Sequence, residues 1–114
     1  MNARILVALG VWLTAATAYA DVQQVVYSCE RGIEIPVVYI NGEDAGARLA
    51  LAVLVVEGRL VSLEATETGS GARYGTGDDQ PGYVWWTKGD SASLSWLESE
   101  SGAETMLFTD CAQR

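Results

Sequence analysis

Downstream of residue 20 the apolar residues come in short runs, none longer than about nine, each closed by a cluster of turn-forming residues. Ile33, Ile35, Val37 and Tyr39 fall on every second position, the period of a strand with one buried face. Asn41-Gly42 then carries the local pattern of a tight hairpin turn. Arg48 to Val56 has the Ala and Leu content of a helix. However, Val53, Val55 and Val56 are β-branched and Glu57-Gly58 ends the run, so with Leu60, Val61 and Leu63 it reads as a hairpin. A Gly-rich stretch follows, and then Tyr83 to Thr87 is aromatic and β-branched. Lys88-Gly89-Asp90 turns the chain, and Leu94 and Trp96 alternate with Ser91, Ser93 and Ser95 on the way back. A turn at Ser99 to Gly102 leads into a last strand, Thr105 to Thr109, that ends at Asp110-Cys111. No segment sustains a 3.6-residue period. Roughly seven or eight strands, with turns every 8 to 12 residues, predict an all-β fold, a sandwich or a small antiparallel barrel.

The first twenty residues are expected to stand outside that fold. Asn2-Ala3-Arg4 is weakly basic, Ile5 to Ala18 is uncharged and apolar or small, and Ala18-Tyr19-Ala20 has the spacing a signal peptidase cleaves. An apolar stretch of about 14 residues is too short to span a bilayer. The sequence therefore reads as a signal peptide over residues 1–20, cleaved near Ala20, and one domain over residues 21–114. A mature N-terminus at Asp21 or a close neighbour is the result that checks it. No cysteine follows the cleavage site to take a lipid, so a periplasmic or secreted protein without a membrane anchor is expected. Cys29 and Cys111 are the two cysteines of the chain. In an oxidising compartment they are expected to pair across a loop of about 80 residues, tying the first strand to the last where a barrel needs its seam held.

Charge narrows the partners. Once Arg4 leaves with the leader, six Lys or Arg face fifteen Asp or Glu, a net charge of −9. Such a chain is a poor ligand for nucleic acid or anionic membrane, and its field steers in basic partners. The chain has no histidine, which removes His-based triads and His metal sites. It has no phosphate-cradling glycine motif, and its cysteines are expected to be bonded. A domain this small leaves little room for a substrate cleft, so no enzymatic activity and no cofactor are expected. Asp78, Asp79 and Asp90 lack the ligand spacing of a calcium loop and read as turn residues.

Two segments remain. Ser70-Gly71-Ala72-Arg73-Tyr74 and Tyr83…Lys88-Gly89 place polar groups at turns, and Lys88 is the only lysine of the chain. Both segments, in this order between Cys29 and Cys111, resemble the family of bacterial inhibitors of c-type lysozyme, MliC and PliC. That family is marked by SGxxY and YxxxxKG between two cysteines. The resemblance covers nearly all of residues 21–114 and implies an antiparallel β-barrel of about eight strands closed by one disulfide. It also implies that Ser70 and Lys88 enter the cleft of a basic c-type lysozyme and contact its catalytic carboxylates. Gly71 and Gly89 would permit the backbone turns that project them, with Arg73 and Tyr74 lining the contact rim or bracing the loop. The stretch from Tyr74 to Tyr83 is longer than the family pattern, and an enlarged Gly75 to Gly82 loop is expected beside the inhibitory site. The competing reading is an envelope module that binds glycan through Trp85, Trp86 or Trp96.

Overall fold

Alternation along each run puts one face of every strand inside, and eight such strands close on themselves. The computed structural model describes residue 10 and residues 19–77, 80–98 and 101–114. Its strands are β1 (Tyr19–Ser28), β2 (Glu34–Asp44), β3 (Ala47–Val56), β4 (Arg59–Thr66), β5 (Ala72–Gly75), β6 (Gly82–Lys88), β7 (Ser91–Leu97) and β8 (Glu104–Gln113). Each pairs antiparallel with the next and β8 returns to β1, an up-and-down closed barrel. One turn of 3-10 helix, Glu30–Gly32, joins β1 to β2. The seam is short: only Tyr27 with Gln113 and Ser28 with Ala112 pair across it. The Cys29–Cys111 disulfide lies directly beside those pairs.

The leader expected over residues 1–20 lies almost wholly outside the described residues. β1 begins at Tyr19, so cleavage after Ala20 would remove the outermost pairs, Tyr19 with Glu43 and Ala20 with Gly42, and keep the ladder from Asp21 onward. Among the described residues no helix is long and apolar enough to cross a membrane.

The Asn41-Gly42 turn is corrected. Both residues sit inside β2, paired with Asp21 and Ala20 on one side and with Ala50 and Leu49 on the other. The turn falls at Ala45-Gly46, with φ of 51° and 82°, the type I′ signature. A two-sided ladder outweighs a dipeptide's local preference, because each further pair adds backbone hydrogen bonds and cross-strand contacts. The Arg48 to Leu63 hairpin stands as read, turning at Glu57-Gly58.

Inside, Val37, Ala52, Leu54, Leu63, Trp85, Leu94 and Cys111 are all fully buried. Tyr27 meets Trp85 edge-on at 5.0 Å between ring centroids. The Trp85 indole N–H donates to the Tyr39 hydroxyl at 2.9 Å, and that hydroxyl bonds Tyr27 Oη at 2.7 Å. These polar groups satisfy one another in an otherwise apolar interior, as buried donors must. Burial is also the first cause that pushes the Tyr39 hydroxyl far above its ordinary 10, with Tyr27 adding to it. In the unfolded chain the same phenol ionises near pH 10. Its raised folded value means that stability is complete below pH 10 and is lost as pH rises beyond it. Urea unfolding followed by circular dichroism between pH 8 and 11 should show this decline starting near pH 10, and Tyr39→Phe should make the slope shallower.

Candidate functional site

The β5–β6 register decides where the two motif segments meet. Ala72 pairs with Thr87, Arg73 with Trp86 and Tyr74 with Trp85. Ser70, two residues before the first pair, and Lys88, one residue after it, therefore lie at the same open end of this hairpin. Both are exposed. Gly71 is the joint between them: a Cβ there would stand 2.1 Å from the Thr87 carbonyl oxygen and 2.9 Å from Lys88 Cγ, and its φ is +66°. Only glycine meets both conditions. Gly89 serves a different need, since nothing lies within 4 Å of its Cβ position while its φ is +58°. With Asp90 it makes a two-residue turn with positive φ at the first position, the type II′ pattern, which returns Lys88 against Ser91. Gly71→Ala is expected to prise the Ser70 loop from β6. It should weaken any activity of this ridge at least tenfold, on the order of 1.4 kcal/mol or more. Equal activity with an unchanged melting temperature would show that the joint is dispensable.

The outer face of β6 carries the rest. The Trp86 indole N–H donates to the Ser70 carbonyl at 2.9 Å, and Thr68 Oγ1 donates to the same oxygen at 3.2 Å. Lys88 Nζ stands 4.6 Å from the Trp86 ring centroid and Arg73 Cζ 5.1 Å from it. Arg73 is held by an ion pair to Glu104, whose other oxygen accepts from Ser95 Oγ at 3.3 Å. Among the described residues Lys88 makes no salt bridge, and no hydrogen bond engages Ser70 Oγ. A groove of about 400 Å³ beside Lys88 is lined by Trp86, Ser93, Met106 and Asp110. The Asp110 carboxyl is held above its usual range by a hydrogen bond to Glu30 and by that group's charge. Glu30 is held below, first by its bond with Thr109 and then by Asp110.

Arg73 is half-buried and clamped, and Tyr74 is 8% exposed within the core beside Tyr39. Tyr74 thus packs inside the barrel. The Gly75 to Gly82 loop is corrected too. It joins β5 to β6 at the hairpin's closed end, opposite Ser70 and Lys88, because an antiparallel pair cannot put its connection beside its own free ends. Its described part folds on Thr76, which donates to the Gln80 and Pro81 carbonyls. Glycan binding through Trp85 fails on burial, and Trp96 is packed against Tyr83. In the sequence Trp86 stands only as a candidate glycan contact, and Glu104 carries no site signal. Trp86 could be found from its place two residues before Lys88 on the same strand face. No local pattern marks Glu104, which meets Arg73 across 31 positions. Asp78 and Asp79 lie outside the described residues, and among those described no group of three metal-ligating side chains occurs.

A family model, membrane-bound lysozyme-inhibitor of c-type lysozyme (MliC), matches residues 27–102, which takes in the whole ridge. The chain belongs to the MliC family. This is a family of inhibitors, not enzymes. A membrane-bound lysozyme inhibitor of C-type lysozyme from Cupriavidus necator is 36% identical over 89 residues, 78% of this chain and 65% of that protein. The protein of the same name from Pseudomonas aeruginosa is 36% identical over 78 residues, 68% of this chain and 55% of that one. The chain thus spans somewhat more than half the length of these relatives. The crystal structure of Pseudomonas aeruginosa MliC in complex with hen egg white lysozyme matches at TM-score 0.60 and 31% identity, over 88% of this chain and 89% of that one. The periplasmic lysozyme inhibitor PliC of Salmonella typhimurium shares the fold, with TM-score 0.63 at 22% identity, over 82% of this chain and 99% of its own.

Proposed function

We propose that this protein is exported to the periplasm or beyond, loses residues 1–20, and inhibits a c-type lysozyme by lodging Ser70 and Lys88 in the enzyme's active-site cleft. The observation that carries the reading is the ridge itself. The two family segments, separated in sequence, bring a hydroxyl that is unpaired among the described residues and the only lysine of the sequence to one exposed hairpin end, joined at Gly71. The MliC relative seen with hen egg white lysozyme supports the choice of partner. Such a lysozyme works with a general-acid Glu and a second carboxylate close together, the pairing for which lysozyme is the standard illustration. An ammonium set between them makes charge-assisted hydrogen bonds in a partly desolvated cleft. A hydroxyl donates to one carboxylate and accepts from the other when that one is protonated. Neither group offers a bond to cleave, so the ridge acts as a plug. The acidic body contributes the approach, since a chain of net charge −9 over residues 21–114 is drawn to a basic enzyme at a rate that falls with salt.

The test is cell-wall lysis by a c-type lysozyme titrated with oxidised Asp21–Arg114 at low and moderate salt. Stoichiometric inhibition that weakens with salt is expected. Undiminished lysis at a large molar excess would sink the reading.

A further inference from the structure

Trp86 is neither the proposed plug's hydroxyl nor its ammonium, yet its side chain touches both Ser70 and Lys88. We propose that Trp86 is a positioning residue that fastens the Ser70 loop and the Lys88 side chain into one preformed unit; this rests on the inhibitor reading above. Its indole N–H fixes the Ser70 carbonyl, so the loop's backbone is held while the hydroxyl stays free. Its ring carries the Lys88 ammonium. An exposed lysine samples many rotamers, and restricting it to those over the ring removes part of the ordering cost before the partner arrives.

Two cations share this ring, and they would repel if both were uncompensated. Glu104 neutralises Arg73 and, through its bond with Ser95, anchors it to β7. Lys88 is left as the free charge. The ring cannot drift, because its neighbour Trp85 is locked in the core by the Tyr39 hydroxyl, and successive strand residues point to opposite faces. Each element therefore has one part: Trp85 sets the strand, Glu104 holds Arg73, and Trp86 joins the serine loop to the lysine turn.

The lysine is unique, so lysine labelled with carbon-13 at the ε position gives a single NMR signal. In the oxidised wild-type protein that signal should be displaced upfield by the indole ring current. Trp86→Leu should return it to the position of a free lysine, while Trp86→Phe, which keeps a ring but no N–H, should leave part of the displacement. In the lysis assay Trp86→Leu should raise the inhibition constant roughly tenfold. Trp86→Phe should fall between it and wild type, with both variants unfolding cooperatively. A lysine signal at the free position in the wild type, or one unmoved by Trp86→Leu, overturns the proposal. So does a Trp86→Leu variant that inhibits as well as the wild type. A wild-type protein that shows the displaced signal and inhibits no lysozyme defeats the inhibitor reading, and the positioning role falls with it while the contact stands.

Discussion

Replacing Cys29 and Cys111 together by alanine should lower the stability of the oxidised protein by about 4 kcal/mol, the chain-entropy value for a loop of this size. The bond joins residues 82 positions apart and spans nearly the whole barrel. A domain of this kind holds only about 5–15 kcal/mol in total. The effect is large because few backbone bonds hold the seam, two residue pairs and the Arg114 N–H to Val26 carbonyl bond beside them. Losing about 4 kcal/mol should depress the melting temperature by roughly 15–30 °C. Near-ultraviolet circular dichroism of wild type, variant and reduced wild type checks it, and a loss below about 1 kcal/mol would mean that the strand ladder closes the barrel unaided. The consequence extends to the ridge. Cys111 pairs with Ala92, Ala112 with Ser91, and the Gln113 N–H donates to the Asp90 carbonyl at 3.1 Å. The lysine turn thus stands on the strand end that the disulfide holds. Inhibition by the variant should weaken even at temperatures where it remains folded.

The barrel was legible because inside and outside alternate along strands such as β2, and that period survives any error in where a strand stops. Ile35, Val37 and Leu94 face inward as their spacing predicts. The disulfide was legible from compartment and count. What escaped were features set by register. Asn41-Gly42 is a turn by local chemistry and a strand by pairing, and only the partners on both sides decide between them. The Gly75 to Gly82 loop follows Tyr74 in sequence, yet the antiparallel register carries it to the far end of the hairpin. Tyr74 reads as a motif residue in one dimension and is a core residue in three. The backbone turn expected at Gly71 fits its φ of +66°. The closer constraint is the Thr87 carbonyl 16 positions away, and no sequence pattern reports it.

Lys88→Ala is expected to weaken lysozyme inhibition by about 2 kcal/mol or more, roughly thirtyfold, the range of an interface hot spot. A surface ion pair would be worth about 0–1 kcal/mol and would not reach this. The larger value follows from the proposed geometry, in which the cleft excludes water and the ammonium meets two carboxylates by charge-assisted hydrogen bonds. The same argument predicts which rate changes. Removing one cation moves the net charge of residues 21–114 only from −9 to −10, which leaves long-range steering nearly intact. Association at low salt should therefore be close to wild type, and the loss should appear as faster dissociation. Lys88→Arg should not rescue fully, because a planar fork needs different partner positions from a compact ammonium. Ser70→Ala should cost less, since a neutral donor to a charged group contributes about 1.5–3 kcal/mol at most and part of that is lost to desolvation. Surface plasmon resonance at two salt concentrations, beside the lysis assay, separates the outcomes. A Lys88→Ala variant with slower association and unchanged dissociation would place the lysine outside the cleft, acting only through the field.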